Sequence, residues 1–143
     1  MGRTVFLATH YGCTQAIGVD VNSDMYNIAI KNRLHFVNKR KFNEEISFIH
    51  CSAESFCIEN SHCYFYFFNP FSLKYFIKTT NNILRSYQVH PRKIRLILYY
   101  AAEEYIRYLS RQTSFSLLET ISFKDGAYFQ IYTINEANKR LSE

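Results

Sequence analysis

Short apolar runs alternate along this chain with segments whose apolar residues recur every three or four positions, and that alternation leaves few architectures open. Ala16-Ile17-Gly18-Val19-Asp20-Val21 is almost continuously apolar, the pattern of a parallel strand covered on both faces, with one carboxylate near its end. Asn22-Ser23-Asp24 offer caps for a helix in which Met25, Ile28 and Ala29 fall at helical spacing and which ends before Lys39. Residues 46–51 read as a second strand and the aromatic residues 63–69 as a third. Beyond Ser72, a possible cap, Leu73, Phe76, Ile77, Thr80, Ile83, Leu84 and Tyr87 share one helical face. Pro91 breaks the chain, residues 94–100 read as a strand, and residues 102–111 read as a helix. Residues 115–123 and 127–134 form two closing strands around Lys124-Asp125-Gly126, and Asp-Gly is a strong hairpin signal. Ahead of all these, residues 3–11 predict a short helix that Gly12 can stop. The order predicts an α/β fold with a mostly parallel sheet and an antiparallel C-terminal hairpin. No linker or repeat divides residues 1–143, which read as a single domain.

Composition narrows the function classes. With 143 residues, 48% of them hydrophobic, and only 4 Gly and 2 Pro, disordered, collagenous and low-complexity readings fail. The longest apolar run, Leu96 to Ala102, has seven residues, against the ~20 that a membrane-crossing helix needs. Val5-Phe6-Leu7-Ala8 is too short for a signal-peptide core, and Phe6 stands where myristoylation wants Ser or Thr, so the expected compartment is the cytoplasm. Reduced thiols at Cys13, Cys51, Cys57 and Cys63 fit that compartment. Lys and Arg outnumber Asp and Glu by 17 to 12, a mild basic bias. Lys31, Arg33, Lys39, Arg40 and Lys41 alone supply +5, equal to the whole excess.

Ligands of open α/β sheets bind outside the carboxyl ends of the strands, which directs attention to three places. Asp20 could accept hydrogen bonds from ribose hydroxyls or could cap the next helix. Ser52-Ala53-Glu54 follows the second strand, where a small residue could admit a flat base or simply form a loop. Asn69-Pro70-Phe71 combines an amide, a fixed backbone and a ring face, and is also an ordinary turn.

In the order and spacing of Gly2-Arg3, Gly18-Val19-Asp20-Val21, Ser52-Ala53-Glu54, Phe67-Phe68-Asn69-Pro70-Phe71 and the closing hairpin, the chain resembles the class I S-adenosylmethionine-dependent methyltransferases over essentially all 143 residues. The resemblance implies a Rossmann-like sheet with S-adenosylmethionine as cofactor. It places Asp20 on the cofactor's ribose, Val21 beside the adenine, Ser52 and Ala53 flanking the adenine, and Gly2 at the end of the glycine-rich loop. The family often has an acidic residue where this chain has Ser52. Asn69-Pro70-Phe71 resembles the family's Asn-Pro-Pro-aromatic motif, with Phe71 where the second proline would stand. That motif implies an Asn side chain and a backbone carbonyl holding a target amino group, as in a base or glutamine, with an aromatic ring stacked on the substrate. Only Gly2-Arg3 resembles the end of the glycine-rich loop, and the family's first strand has no counterpart here. The expectation is therefore an amino-terminally shortened methyltransferase with impaired cofactor binding. Losing that strand should leave the edges of two other strands unpaired or bring them together.

Two other function classes fit the sequence. A basic nucleic-acid-binding module would use Lys31, Arg33, Lys39, Arg40 and Lys41, with affinity that falls steeply with salt. A non-catalytic methyltransferase-like remnant would stay folded without binding the cofactor. Cys51, Cys57, His62 and Cys63 cluster in sequence but contain no Cys-x-x-Cys pair, so no metal is assigned. His10, His35, His50, His62 and His90 show no partner pattern for catalysis.

Overall fold

In a computed structural model of the protein, the structure describes residues 2–39, 45–68 and 71–134. The chain folds as two compact units, residues 1–56 and 57–143.

The first unit runs α1 (Arg3–His10), β1 (Gln15–Asp20), α2 (Ser23–Lys39), β2 (Glu45–His50) and a short 3₁₀ turn at Ala53–Ser55. Gly12 adopts a φ of +105° beyond α1, where the Cys13 N–H closes the helix on the Ala8 carbonyl. Asn22 caps α2, its Oδ1 accepting from the N–H groups of Asp24 (2.9 Å) and Met25 (3.1 Å). β1 and β2 pair in parallel from Gln15 opposite Glu45 to Asp20 opposite His50, as a helical crossover requires. Ile46 and Ala29 are buried, and the Phe6 ring lies 4.6 Å from Phe36 and 5.7 Å from Phe48 between centroids.

The second unit contains β3 (Tyr64–Phe67), α3 (Leu73–Val89), β4 (Arg95–Tyr99), α4 (Glu103–Gln112), β5 (Phe115–Ser122) and β6 (Tyr128–Ile134). Its sheet has the order β3-β4-β6-β5, with β3 and β4 parallel and the other two pairings antiparallel. The hairpin closes at Gly126, whose φ is +85°, and Asp125 Oδ1 accepts from the Ala127 N–H at 3.1 Å. Leu96, Leu98 and Tyr132 point to one sheet face and share a core with Phe76, Ile83 and Tyr87 of α3 and Tyr105, Tyr108 and Leu109 of α4. The spacing read along residues 73–87 thus marks the face that α3 buries.

Mixed α/β order, parallel pairs and a closing antiparallel hairpin agree with the sequence pattern, and element ends fall within about two residues of it. The sheet is in two pieces, of two and four strands. Among the described residues β1 pairs only with β2 and β3 only with β4, so each keeps one edge without a strand partner.

Arg92 ties the carboxyl end of α3 to the segment before β3. Its guanidinium donates to the Ser86, His90 and His62 carbonyls at 3.0–3.1 Å, to the Glu59 carbonyl at 3.4 Å and to Ser86 Oγ at 3.0 Å. His62 Nδ1 accepts from the Glu59 N–H at 3.0 Å, so the neutral ring is the form that fits. Burial holds the His62 pKa below its ordinary value, Glu59 opposes this, and Arg92 adds to the lowering. The unfolded chain therefore binds the proton more tightly than the folded one, and stability falls as pH drops below ~6.5. Urea midpoints between pH 7.5 and 5 should decline in the wild type, and the His62→Gln variant should decline less. An equal decline in both would assign the slope to other groups.

Candidate functional site

The candidate site of the first unit is built where β1 and β2 end side by side. Asp20 Oδ1 accepts from the Asn22 N–H at 2.9 Å, and Asn22 rather than Asp20 caps α2. Among the described residues Oδ2 of Asp20 accepts no hydrogen bond, so one carboxylate oxygen remains for a ligand. Val21 follows with 70% of its surface exposed. His50 Nε2 donates to the Val21 carbonyl at 3.0 Å, and the Tyr26 ring stacks on His50 with 5.5 Å between centroids. This pairing ties the loop after β1 to the end of β2. On the next loop Ser52 Oγ donates to Ser55 Oγ at 2.9 Å, and Ala53 opens the 3₁₀ turn.

A cavity of about 120 Å³ lies at this end, lined by Gly2, Gly18, Asp20, Met25, Tyr26 and Phe48 among others. The structure thus brings Gly2 and Asp20 to one cavity, with Val21, Ser52 and Ala53 outside its lining on the two adjacent loops. Gly2 has a φ of +80° ahead of α1, and its carbonyl accepts from the Phe6 N–H at 3.2 Å. A Cβ on Gly2 or on Gly18 would stand 2.5 Å from the Phe48 ring. Phe48 therefore occupies the space that two missing side chains leave. Gly18→Ala should destabilise the first unit by about 1–3 kcal/mol through overpacking. In the Phe48→Leu background the same change should cost less, as read by urea unfolding followed by circular dichroism. Sequence reading passed over Phe48 and Tyr26 and gave His50 no catalytic role; the one available signal was that Phe48 shares a strand face with Ile46.

In the second unit Asn69 and Pro70 lie outside the described residues. Phe71 is half-buried, with its ring 5.9 Å from that of Phe67 and packed against the core. The Phe71 carbonyl accepts from the Tyr105 hydroxyl, and the Tyr105 ring stacks on Phe76 at 3.8 Å between centroids. A buried tyrosine of α4 thus fixes the chain just after Pro70, and burial raises its pKa so that it stays a donor.

Among the described residues no three His, Cys, Asp or Glu side chains converge on a metal position, and the four cysteines are free thiols. Lys31 and Arg33 are exposed on α2, whereas Arg40 and Lys41 lie outside the described residues. No described helix is long and apolar enough to cross a membrane.

No family model and no curated protein sequence matches the chain. Among solved structures, the PH0226 protein of Pyrococcus horikoshii superposes with a TM-score of 0.66 at 16% identity, over 94% of this chain and 77% of that one. The N-methyltransferase NodS of Bradyrhizobium japonicum gives 0.64 at 14% identity, over 93% and 79%. A protein of the NADB-Rossmann superfamily from Streptococcus agalactiae gives 0.64 at 16% identity, over 92% and 56%. This chain has the Rossmann-like α/β fold of these structures. In that Rossmann-like fold the cavity at Asp20 lies at the carboxyl end of β1, where α/β sheets bind ligands.

Proposed function

We propose that residues 1–143 act as one methyltransferase-like domain that binds S-adenosylmethionine and moves its methyl group to a nitrogen acceptor. The observation that carries the reading is Asp20, which lines a cavity at the carboxyl end of β1 together with Gly2 and Gly18 and accepts a hydrogen bond from the Asn22 N–H through Oδ1. A ribose fits that donor set, because its two hydroxyls need a carboxylate acceptor and close backbone approach. At about 120 Å³ the cavity is below the ~300 Å³ at which ligand pockets begin, so it would take the sugar while the base lies outside it against Val21, Ser52 and Ala53.

When bound, S-adenosylmethionine supplies an electrophilic methyl carbon on a sulfonium. The chain's own contribution is position: Asp20 holds the ribose, His50 and Tyr26 keep Val21 beside the base, and the Tyr105 hydroxyl anchors the segment that follows Asn69 and Pro70. On the family resemblance, the Asn69 amide oxygen and a neighbouring carbonyl would accept from the target amino group and direct its lone pair at the methyl carbon. The Phe71 ring packs against the core, so stacking on an acceptor through Phe71 would require it to move.

Calorimetric titration of the purified chain with S-adenosylmethionine tests this. Saturable binding that weakens roughly ten-fold or more in Asp20→Ala is the expected result. A folded wild type that binds nothing would overturn it and favour the non-catalytic reading.

A further inference from the structure

The strands of the second unit are composed for burial on both faces, yet the helices of that unit cover one. Leu96, Leu98 and Tyr132 meet α3 and α4. The alternate residues point the other way, and in a sheet with one solvated face they would be polar. Here they are mostly aromatic and aliphatic. The strand register sets them in three rows that run from β3 through β4 and β6 to β5. The middle row is Tyr66, Ile97, Ile131 and Glu119. The lower row is Tyr64, Arg95, Thr133 and Ser116, in which the Arg95 guanidinium donates to the Thr133 hydroxyl. Tyr99, Phe129 and Ile121 make the upper row, and Phe68 extends it beyond β3. Ring centroids lie 5.1 Å apart for Phe68 and Tyr99 and 4.6 Å for Tyr99 and Phe129. β4 ends at Tyr99, and Tyr100 follows with a φ of 49°. Tyr66 stands 6.4 Å from Phe129, which joins the middle and upper rows into one apolar patch. Tyr64 (70%), Phe68 (57%), Tyr66 (38%) and Ile121 (38%) are open to solvent. A contiguous exposed patch of this kind marks an interaction surface.

We propose that this face packs on the same face of a second copy of the chain, about a two-fold axis running along the strands. Sheets packed face to face lie ~10 Å apart with strand directions within about 30° of each other. An axis along the strands lays β4 on the partner's β6 and β3 on the partner's β5, each row on itself. Ile97 then meets the partner's Ile131, Tyr99 the partner's Phe129, and Phe68 the partner's Ile121. The Glu119 carboxylate meets the hydroxyl of the partner's Tyr66, and Arg95 meets the partner's Thr133. The other aligned arrangement has its axis across the strands. It sets Glu119 against the partner's Glu119 and the polar lower row against the aromatic upper one, so like charges face each other and polar groups are desolvated without partners. The face is self-complementary in one orientation, as an isologous contact requires. That match of each row with itself is what selects a second copy over an unrelated protein.

Three rows of four residues are fewer than the roughly 20–30 residues a side of a standard interface, so the association belongs to the weak class, with a dissociation constant on the order of tens of micromolar. It does not depend on the methyltransferase reading.

Sedimentation equilibrium of the full chain from about 5 to 500 μM tests the proposal, with circular dichroism establishing that each variant is folded. A reversible monomer–dimer equilibrium is expected. Ile131→Lys and Ile121→Lys put an ammonium into the apolar rows and should raise the dissociation constant roughly ten-fold or more. Tyr66→Phe and Glu119→Gln should each raise it roughly three-fold. Leu117 is 52% exposed on the same edge strand but shares the side of Tyr132, so Leu117→Lys should leave the equilibrium unchanged. A folded wild type that stays monomeric through that range overturns the proposal, as does a dimer that tolerates the lysine at both apolar positions. Loss of the dimer in Leu117→Lys would overturn it by assigning the contact to the helix side of the sheet. Tightening in Glu119→Gln would overturn the stated axis, because it would mean that the two carboxylates face each other.

Discussion

Phe76→Ala is expected to cost the second unit about 3–5 kcal/mol, the range for emptying a large aromatic from a packed interior. Phe76 has no exposed surface, lies face to face with Tyr105 at 3.8 Å, and meets Phe67 and Tyr108 edge-on at 5.9 and 6.1 Å. Its removal leaves a void bounded by three rings that are themselves held elsewhere and cannot collapse into it cheaply. Because domains are stable by only ~5–15 kcal/mol, much of the unit's stability goes with it. The functional consequence passes through Tyr105, whose hydroxyl holds the Phe71 carbonyl. Tyr105→Phe keeps the ring stack and removes one hydrogen bond, so it should cost only ~1 kcal/mol while speeding amide exchange after Phe71. Urea unfolding followed by tyrosine fluorescence separates the two variants. A Phe76→Ala penalty below that of Tyr105→Phe would mean that the ring is not a core element.

Residues 73–87 were legible because helical burial depends on local periodicity: the shared face marked by spacing contains Phe76, Thr80, Ile83 and Tyr87, all buried. The hairpin was legible for the same local reason, since Asp125 and Gly126 supply the turn chemistry themselves. Asp20 was readable as a strand-end carboxylate, but the division of labour with Asn22 was not, because both residues suit a cap and only geometry decides. Phe48 over Gly2 and Gly18, Tyr105 on Phe71, and Arg92 on four carbonyls join residues about 30 or more positions apart in several cases, and no local pattern encodes such contacts. The separation of the sheet into two pieces was one of the two arrangements that the sequence left open. Apolar patterning specifies which residues form strands, whereas strand neighbours depend on what else is present to pair. Tyr100 also escaped sequence reading, as tyrosine carries no preference for positive φ.

Arg92→Ala should destabilise the second unit by about 2–4 kcal/mol, because one half-buried guanidinium satisfies the Ser86, His90, His62 and Glu59 carbonyls together. The same charge stands at the carboxyl end of α3, where it also offsets the helix dipole. Lysine cannot replace it. An ammonium is a point donor without the planar fork, so Arg92→Lys should recover less than half of the loss. A second readout separates a clamp from general damage. Arg92 contributes to the lowering of the His62 pKa, so removing its charge should move that pKa upward while burial still keeps it below the ordinary value. The folded variant then binds its proton closer to the unfolded value, and the acid-side decline in stability becomes shallower than in the wild type. NMR titration of the His62 ring and urea midpoints at pH 5 and 7.5 measure the two effects on the same samples. A stability loss below ~1 kcal/mol together with an unmoved His62 would show that Arg92 is a solvated surface charge and that α3 ends without it.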